Sequence, residues 1–320
     1  MFDRARYRAD FTMQLLLFTA SLALLLPIAS CKKQEAAVPN ATPRTFASPG
    51  EASKALADAA KSQDQEALLA IFGSGASDVI FTGDPVQDKS GFKGFVEAYQ
   101  VMNRWRKMPD SSEVLLVGAE NQPFPIPLKK NASGEWYFDT DAGKDEILSR
   151  RIGANEITAI AACSAVVDAQ HEYFSQKHDG VKQYAQKLIS DPGRKNGLYW
   201  ESPPGAPQSP LGPAAANASA EGYKIQPNQH QPFHGYYFLM LTKQGPDARG
   251  GAKNYLFNGN LTRGFAIVAY PAKYGDSGIK TFIVNHDGVT FEKDLGKSTG
   301  EVASAMTEFN PDQSWTPLGQ

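Results

Sequence analysis

The first 31 residues constrain the fold most, because their pattern is that of an export signal and takes them out of any folded body. Three arginines stand within the first eight residues, and an apolar stretch follows over residues 13–28. A membrane-spanning helix needs roughly twenty apolar residues. This stretch is shorter and carries Pro27 near its end. The pattern therefore predicts a signal peptide over residues 1–31 that is removed on export.

The residues that close this leader, Ile28-Ala29-Ser30-Cys31, resemble the lipobox of bacterial lipoproteins. In that motif, small residues precede a cysteine whose thiol receives diacylglycerol. The resemblance implies cleavage before Cys31 and a lipid on Cys31 that anchors the chain to a membrane. We therefore expect a lipid-anchored protein of the cell envelope that faces the periplasm. Lys32 follows the cysteine where aspartate would favour the inner membrane, so the enteric sorting rule favours the outer membrane.

The composition of the remaining chain limits its partners and its covalent chemistry. The leader takes three arginines and two aspartates from the 32 basic and 34 acidic residues, which leaves a charge of about −3. That balance offers no basic surface for a nucleic acid. Apart from Cys31 the only cysteine is Cys163, so no internal disulfide is expected. Residues 32–45 mix charges, prolines and small side chains without an apolar period, which predicts a flexible tether.

The length after the leader predicts two domains, because about 290 residues exceed the roughly 100–150 of a typical domain. In the first, residues 46–150, Ser48 and Asp64 each stand before apolar residues at helical spacing and predict two capped helices. A further helix and three short strands are predicted at 92–105, 114–117, 126–129 and 135–139. This α+β domain is similar in element order to the nuclear-transport-factor-2 or cystatin-like cone.

The second predicted domain covers residues 151–320. The stretch 145–188 indicates a largely helical segment with breaks at Gly153 and Gly180. Residues 191–231 are rich in Pro, Gly, Asn and Ala, which predicts a long irregular segment with a short helix at 214–221. Five strands follow, and Asn285-His286-Asp287-Gly288 predicts a hairpin turn between the last two. The strands are predicted at 236–242, 255–258, 264–270, 280–285 and 290–293.

Several motifs spread along the chain resemble bacterial domain-of-unknown-function family 2950, over about residues 46–317. The resemblance implies an envelope setting and supplies no mechanism. The motifs that carry it are Phe46-Ala47-Ser48-Pro49, Gly83-Asp84-Pro85-Val86, Pro123-Phe124-Pro125-Ile126-Pro127, Gly197-Leu198-Tyr199-Trp200, Ser209-Pro210-Leu211-Gly212-Pro213, His234-Gly235-Tyr236-Tyr237 and residues 281–288.

A second resemblance covers roughly residues 157–295. A helix carrying Ala169-Gln170-His171-Glu172-Tyr173 precedes Gly235-Tyr236-Tyr237-Phe238 and the strands to Gly288. That order is similar to the globular domain of type IV pilins and pseudopilins. It implies one helix packed on an antiparallel sheet, without the long apolar N-terminal helix of a pilin. The predicted fold is therefore α+β, with a pilin-like second domain.

Histidines and serines are the residues that could form a metal or catalytic site in this chain. All five histidines lie in the C-terminal half, at positions 171, 178, 230, 234 and 286. Zinc ligands are usually two to five residues apart on at least one side of the site, and His171 and His178 are seven apart. Gly73-Ser74-Gly75 is interpreted as a loop after a helix, and Ser190-Asp191-Pro192-Gly193 lacks the lysine of a Ser-x-x-Lys motif. We therefore predict no metal, no cofactor and no catalytic residue.

Aromatic and polar residues of the C-terminal half are the candidates for binding. Tyr199 and Trp200 stand in the irregular segment, where such side chains suit a peptide, a glycan or a partner protein of the envelope. The other candidates stand at strand edges and are His234, Tyr236, His286 and Asp287.

The sequence thus favours a membrane-anchored cell-envelope lipoprotein with a non-catalytic binding or assembly role. The alternative is a periplasmic hydrolase that uses the region of His234 and His286. Convergence of these two histidines in one pocket would favour hydrolysis. An exposed aromatic cleft along residues 191–231 would favour binding.

Overall fold

A computed structural model describes residues 42–226 and 231–319, which all belong to one compact unit, Pro39–Gln320. Cys31, the predicted signal peptide, most of the predicted tether and His230 lie outside the described residues. The described part contains α-helices and several mostly antiparallel sheets, which confirms the mixed α+β class.

The first half begins with helices whose starts are set by side-chain caps. Ser48 Oγ accepts from Glu51 N at 3.2 Å, and an Asp64 carboxylate oxygen accepts from Ala67 N at 3.0 Å, so both predicted caps are confirmed. Asp84 caps the fourth helix in the same way, with Pro85 in its first turn. The helices are α1 Pro49–Ser62, α2 Gln65–Phe72, α3 Ser77–Ile80 and α4 Pro85–Val101.

A five-stranded antiparallel sheet follows these helices, in the order β1-β2-β4-β5 with β3 also paired to β2. Its strands are β1 Asn103–Lys107, β2 Glu113–Val117, β3 Gln122–Pro123, β4 Leu128–Lys130 and β5 Trp136–Phe138. The prediction of a helix over 92–105 was wrong at both ends, because Asp84-Pro85 starts the helix earlier and Trp105 lies in β1. The core of this half is rich in phenylalanine, with Phe46, Phe72 and Phe138 buried together.

One long helix, α5 (Thr140–Ser175), connects the two halves. It has 36 residues, or about 54 Å at 1.5 Å per residue. The predicted break at Gly153 was wrong, and the helix runs without interruption across the predicted domain boundary at residue 150. By length and composition α5 could span a membrane. Its buried residues, which include Arg151 and Gln170, pack within the folded unit, so we interpret it as a core helix.

Short elements follow α5 before the main sheet of the second half. They are β6 Lys177–His178, β7 Val181–Lys182, β8 Lys187–Ile189, β9 Gly197–Tyr199 and α6 Gly212–Glu221. The helical prediction for residues 176–188 was wrong, because β6 and β7 form a hairpin and β8 pairs in parallel with β9. The short helix predicted at 214–221 is confirmed, and it starts two residues earlier.

The main sheet of the second half has five strands in the order β10-β15-β16-β17-β19. The predicted hairpin at residues 285–288 is confirmed, since Val284 pairs with Thr290 across that turn. The remaining elements are β10 Tyr236–Leu241, β11 Lys243–Gln244, β12 Lys253–Asn254, β13 Leu256–Phe257, β14 Asn260–Leu261, β15 Ala266–Pro271, β16 Lys280–Asn285, β17 Thr290–Asp294, α7 Thr299–Ser304, β18 Glu308–Phe309 and β19 Thr316–Pro317.

Both faces of the main sheet are buried, so its central strands are apolar on both sides. Ile267 and Val284 face a core that contains Cys163 of α5. Val268 and Ile283 alternate with them and face a second core that contains Phe309. Burial raises the pKa of Cys163 to about 12, which keeps this thiol protonated and unreactive.

A network of polar side chains in the middle of α5 makes hydrogen bonds to other parts of the chain. This network, here called the polar seam, is formed by Arg151, Asn155 and Glu156 with their partners. Arg151 donates to Asp276 and to the carbonyl oxygens of Asp78 and Val79. Asn155 accepts from the Gln87 amide at 2.6 Å and donates to Ser277 O at 2.9 Å. Glu156 accepts from two backbone N–H groups, at residues 279 and 280. The seam therefore connects residues 78–87 with residues 276–280 through the middle of α5.

Candidate functional site

An apolar cavity of about 250 Å³ lies between α5, α6 and the first strand of the main sheet. This size is close to the lower end of small-molecule sites, which run from roughly 300 Å³ upward. Five aromatic rings form much of its wall, namely Tyr199, Tyr223, Phe233, Tyr237 and Phe238. The apolar cavity is therefore suited to a ring or a short hydrocarbon group.

The space arises because both helices that border the cavity turn small side chains toward it. Ala162 and Ala165 of α5 line it, and so do Ala214, Ala215 and Ala218 of α6. Residues spaced three or four apart share one face of a helix, so each helix presents a smooth alanine face. Larger side chains at these positions would fill the cavity.

Hydrogen bonds fix the Tyr223 ring in the wall. The Tyr223 hydroxyl donates to the Asp84 carboxylate at 2.7 Å, while the other carboxylate oxygen of Asp84 caps α4. Burial, and next the bond to this carboxylate, raise the pKa of Tyr223. The hydroxyl is thus held toward Asp84, and the ring remains as an apolar surface.

A histidine–carboxylate pair lies beside this wall. His234 Nε2 is 2.7 Å from a Glu221 carboxylate oxygen, and the His234 ring lies 4.6 Å from Phe233 and 5.3 Å from Tyr223 between centroids. The backbone N–H of His234 donates to the Tyr223 hydroxyl at 3.3 Å. His234 therefore connects the end of α6 to the start of β10.

A second, polar cavity of about 210 Å³ lies on the other side of α6. It is open to solvent on one side and is bordered by the loop 200–211, which leaves β9 and returns to it where Leu211 N donates to Leu198 O at 3.0 Å. The residues that line it are Tyr199, Trp200, Glu201, Ser202, Gln208, Ser209, Gly212, Ala216 and Ser219. Tyr199 borders both cavities.

The position of Tyr199 and Trp200 follows from the pairing of β8 with β9. Ser190 N donates to Tyr199 O at 2.8 Å, and Ser190 Oγ accepts from Gly197 N at 2.9 Å. A Cβ on Gly197 would lie 2.6 Å from Ser190 N, so only glycine permits this close pairing. The ammonium of Lys195 lies 5.3 Å from the centroid of the Trp200 indole ring.

The six sequence candidates for binding do not form one site. Tyr199 and Trp200 border the cavities, and His234 lies beside the apolar one. Tyr236 has no exposed surface and donates to Lys280 O at 2.9 Å, so it is a core residue. His286 and Asp287 lie in the hairpin turn between β16 and β17.

The two histidines of the hydrolase alternative lie at opposite ends of the main sheet. Tyr236, two residues after His234, pairs with Pro271 at one end of β15, and Asn285, which precedes His286, pairs with Ala266 at the other. Five residue steps along a strand separate these ends by roughly 17 Å. His234 and His286 therefore do not converge.

The described residues around the apolar cavity are mostly aliphatic and aromatic. Lys224 is the one charged residue among the described residues that line it. The other polar side chains there are those of tyrosines and glutamines. Within residues 42–226 and 231–319, no group of three His, Cys, Asp or Glu is arranged to hold a metal ion.

Sequence reasoning missed the residues that create the space. Ala162, Ala165, Ala214 and Ala218 have no chemistry of their own, and the signal that could have found them is the alanine spacing on two neighbouring helices. The role of Asp84 as a helix cap and as the partner of Tyr223 was also missed, although Asp84-Pro85 is a pattern typical of a helix start.

These elements define a mixed α+β protein with a ligand-sized apolar cavity beside a polar one. The chain belongs to the family described as "Protein of unknown function (DUF2950)", whose model matches residues 43–318. The resemblance to family 2950 that the motifs predicted is thereby confirmed. No curated protein and no solved structure matches the chain.

Proposed function

We propose that the protein is a lipid-anchored, non-catalytic binding protein of the cell envelope. Its apolar cavity takes a small ligand through an aromatic ring or a short hydrocarbon group. The observation that carries the proposal is this cavity, which lies between two alanine helix faces and five aromatic rings. Burying such a group there gains roughly 25 cal/mol for each Å² of apolar surface removed from water.

The alternative of a periplasmic hydrolase has less support. His234 is paired with Glu221, and His286 lies at the far end of the main sheet, beside Asp287. A hydrolase needs a nucleophile within hydrogen-bond reach of a base. Neither histidine has a serine, threonine or cysteine side chain among its described hydrogen-bond partners.

Binding of the fluorescent apolar probe N-phenyl-1-naphthylamine tests the cavity. The fluorescence is measured with the full chain in lipid nanodiscs, and the signal of empty nanodiscs is subtracted. We expect saturable binding that Ala214→Trp weakens at least tenfold, because the indole would occupy the cavity. Ala220→Trp is the matched control, since Ala220 is exposed on the same helix and borders neither cavity. Equal binding by both variants would contradict the proposal.

The anchor is tested separately by Cys31→Ser, with fractionation and mass spectrometry. We expect the wild-type chain in the membrane fraction with a diacylglycerol mass on Cys31, and the variant in the soluble fraction. Membrane association of the variant equal to that of the wild type would overturn the lipid anchor and leave the cavity proposal standing.

We also propose that the second half has a pilin-like arrangement and the first half a cone of the nuclear-transport-factor-2 or cystatin type. The support for the former is that α5 packs on one face of an antiparallel sheet. The support for the latter is the order of helices followed by a short antiparallel sheet. Superposition of an experimental structure on these folds tests both.

A further inference from the structure

The polar cavity holds two buried hydroxyl groups that lack a partner among the described residues. Ser209 is 2% exposed, and neither its Oγ nor the Oγ of Ser202 makes a hydrogen bond. A buried polar atom without a partner is costly, and few such atoms occur in native proteins. Both serines line the same cavity, and rotation of either side chain about χ1 would bring its hydroxyl to a group that enters it.

The other side chains around these hydroxyls offer both hydrogen-bond donors and acceptors. Gln208 supplies an amide and Glu201 a carboxylate, while each serine hydroxyl can donate once and accept twice. Trp200 adds an indole surface whose edge is polar and whose faces are apolar. A matching ligand therefore carries several hydroxyl groups on a compact ring with apolar C–H faces.

The prolines of the loop that borders the cavity favour this arrangement before a ligand arrives. Pro203, Pro204, Pro207 and Pro210 restrict its backbone, and Ala206 N donates to Pro203 O at 3.0 Å in a tight turn. A preformed site loses less conformational entropy on binding. The volume of about 210 Å³ is below the roughly 300 Å³ of a drug-sized pocket, so it suits a single ring.

We infer that the polar cavity is a saccharide site that takes one pyranose ring of an envelope glycan, with Ser209 and Ser202 as hydrogen-bonding residues and Trp200 as its aromatic wall. This goes beyond the proposed function, because it assigns a second site with a different ligand chemistry on the opposite side of α6. A peptide would need backbone partners along an extended groove, and this cavity is compact.

Saturation-transfer difference NMR on the full chain in lipid nanodiscs tests the inference. The probes are D-glucose, D-galactose and N-acetyl-D-glucosamine, and tetrahydropyran is the control ring without hydroxyl groups. We expect saturation transfer to at least one sugar and none to tetrahydropyran. Absence of saturation transfer to all three sugars would overturn the inference.

Three variants locate the site. Ser209→Ala removes one hydrogen-bonding group, and Ala216→Trp places bulk in the polar cavity; each should raise the Kd of the bound sugar about tenfold. Ala220→Trp should leave that Kd within about twofold. Should Ala216→Trp fail to fold by circular dichroism, Ser209→Ala decides the matter. Sugar binding that neither Ser209→Ala nor Ala216→Trp weakens would place the site elsewhere and contradict the inference.

The two proposals fail separately. Ala214→Trp should weaken the apolar probe and spare the sugar, and Ala216→Trp should do the reverse. If the sugar binds and the apolar probe does not, the proposed function fails and this inference stands.

Discussion

The polar seam and the polar cavity both bury polar groups that water would otherwise solvate. The two regions differ in whether these groups have hydrogen-bond partners within the protein. In the seam, Arg151 and Asn155 each have partners from distant parts of the chain. In the cavity, Ser202 and Ser209 have none among the described residues. Gln87 Oε1 in the seam also lacks a partner among the described residues, although the side chains of Arg151, Asn155 and Glu156 are bonded. A bonded buried group stabilises the fold, whereas an unbonded hydroxyl beside a cavity is available to a ligand. Substitutions in the two regions should therefore differ in sign.

The largest effect is expected from Arg151→Ala. This change removes the donor to the carbonyl oxygens of Asp78 and Val79 and one of the two partners of Asp276, which keeps Lys273. The free energy of unfolding should therefore fall by about 3–5 kcal/mol. Urea denaturation followed by circular dichroism measures it. Arg150→Ala is the matched control, because the neighbouring Arg150 side chain is exposed, and it should cost no more than about 1 kcal/mol. Equal losses in the two variants would refute a structural role for the seam.

A smaller loss is expected from Asn155→Ala. It leaves the Gln87 amide and the Ser277 carbonyl without their bonds, at a cost of about 1–3 kcal/mol in unfolding free energy. The control is Asn217→Ala on the exposed side of α6, where alanine is the better helix former and no loss is expected. Thermal denaturation of both variants separates the two results.

The opposite sign is expected from Ser209→Ala in the absence of sugar. Removal of an unpartnered buried hydroxyl should leave stability unchanged or raise it by up to about 1 kcal/mol. Ser53→Ala is the contrast, because Ser53 is equally buried and its hydroxyl bonds to Gly50 O and to Tyr99, so about 1 kcal/mol should be lost. If the two serine variants lose the same amount, Ser209 is satisfied in the protein and the comparison breaks.

The smallest effect is expected at His286, whose Nδ1 is also buried without a partner but borders neither cavity. Burial lowers the pKa of His286 below its usual 6.5. The unfolded chain then binds the proton more readily than the folded one, so stability is full above pH 6.5 and falls as the pH drops below it. The difference in unfolding free energy between pH 7.5 and 5.5 should be smaller in His286→Gln. An unchanged difference would contradict the lowered pKa of the half-buried His286.

Local signals in the sequence were sufficient for much of the fold. Ser48, Asp64 and the turn at residues 285–288 act through neighbours within a few positions, so the sequence alone indicates them. Gly153 failed as a helix break because a single glycine costs only about 1 kcal/mol in a helix, and the packing of α5 outweighs that cost. Residues 187 and 188 were wrongly predicted as helix, because the pairing of β8 with β9 that makes them a strand leaves no mark on the local apolar pattern.

The cavities could be predicted only in part. Tyr199 and Trp200 were found because aromatic residues in a Pro-rich segment are conspicuous. The alanine faces were not found, since space between two helices depends on how far apart the helices pack. Tyr236 was misplaced because its neighbours look like a strand edge, although its hydroxyl is bonded within the core.

The continuity of α5 limits how the two halves of the gene can be exchanged by recombination. Gly143, near its start, lies so close to Ile126 that a Cβ there would come within 2.8 Å of that residue, while Cys163, in its second half, is buried against the main sheet. A recombination event that exchanged one half of the gene for an unrelated half would have to join two half-helices in register. The match over residues 43–318 spans the whole of this helix, as expected of a unit that is passed on intact.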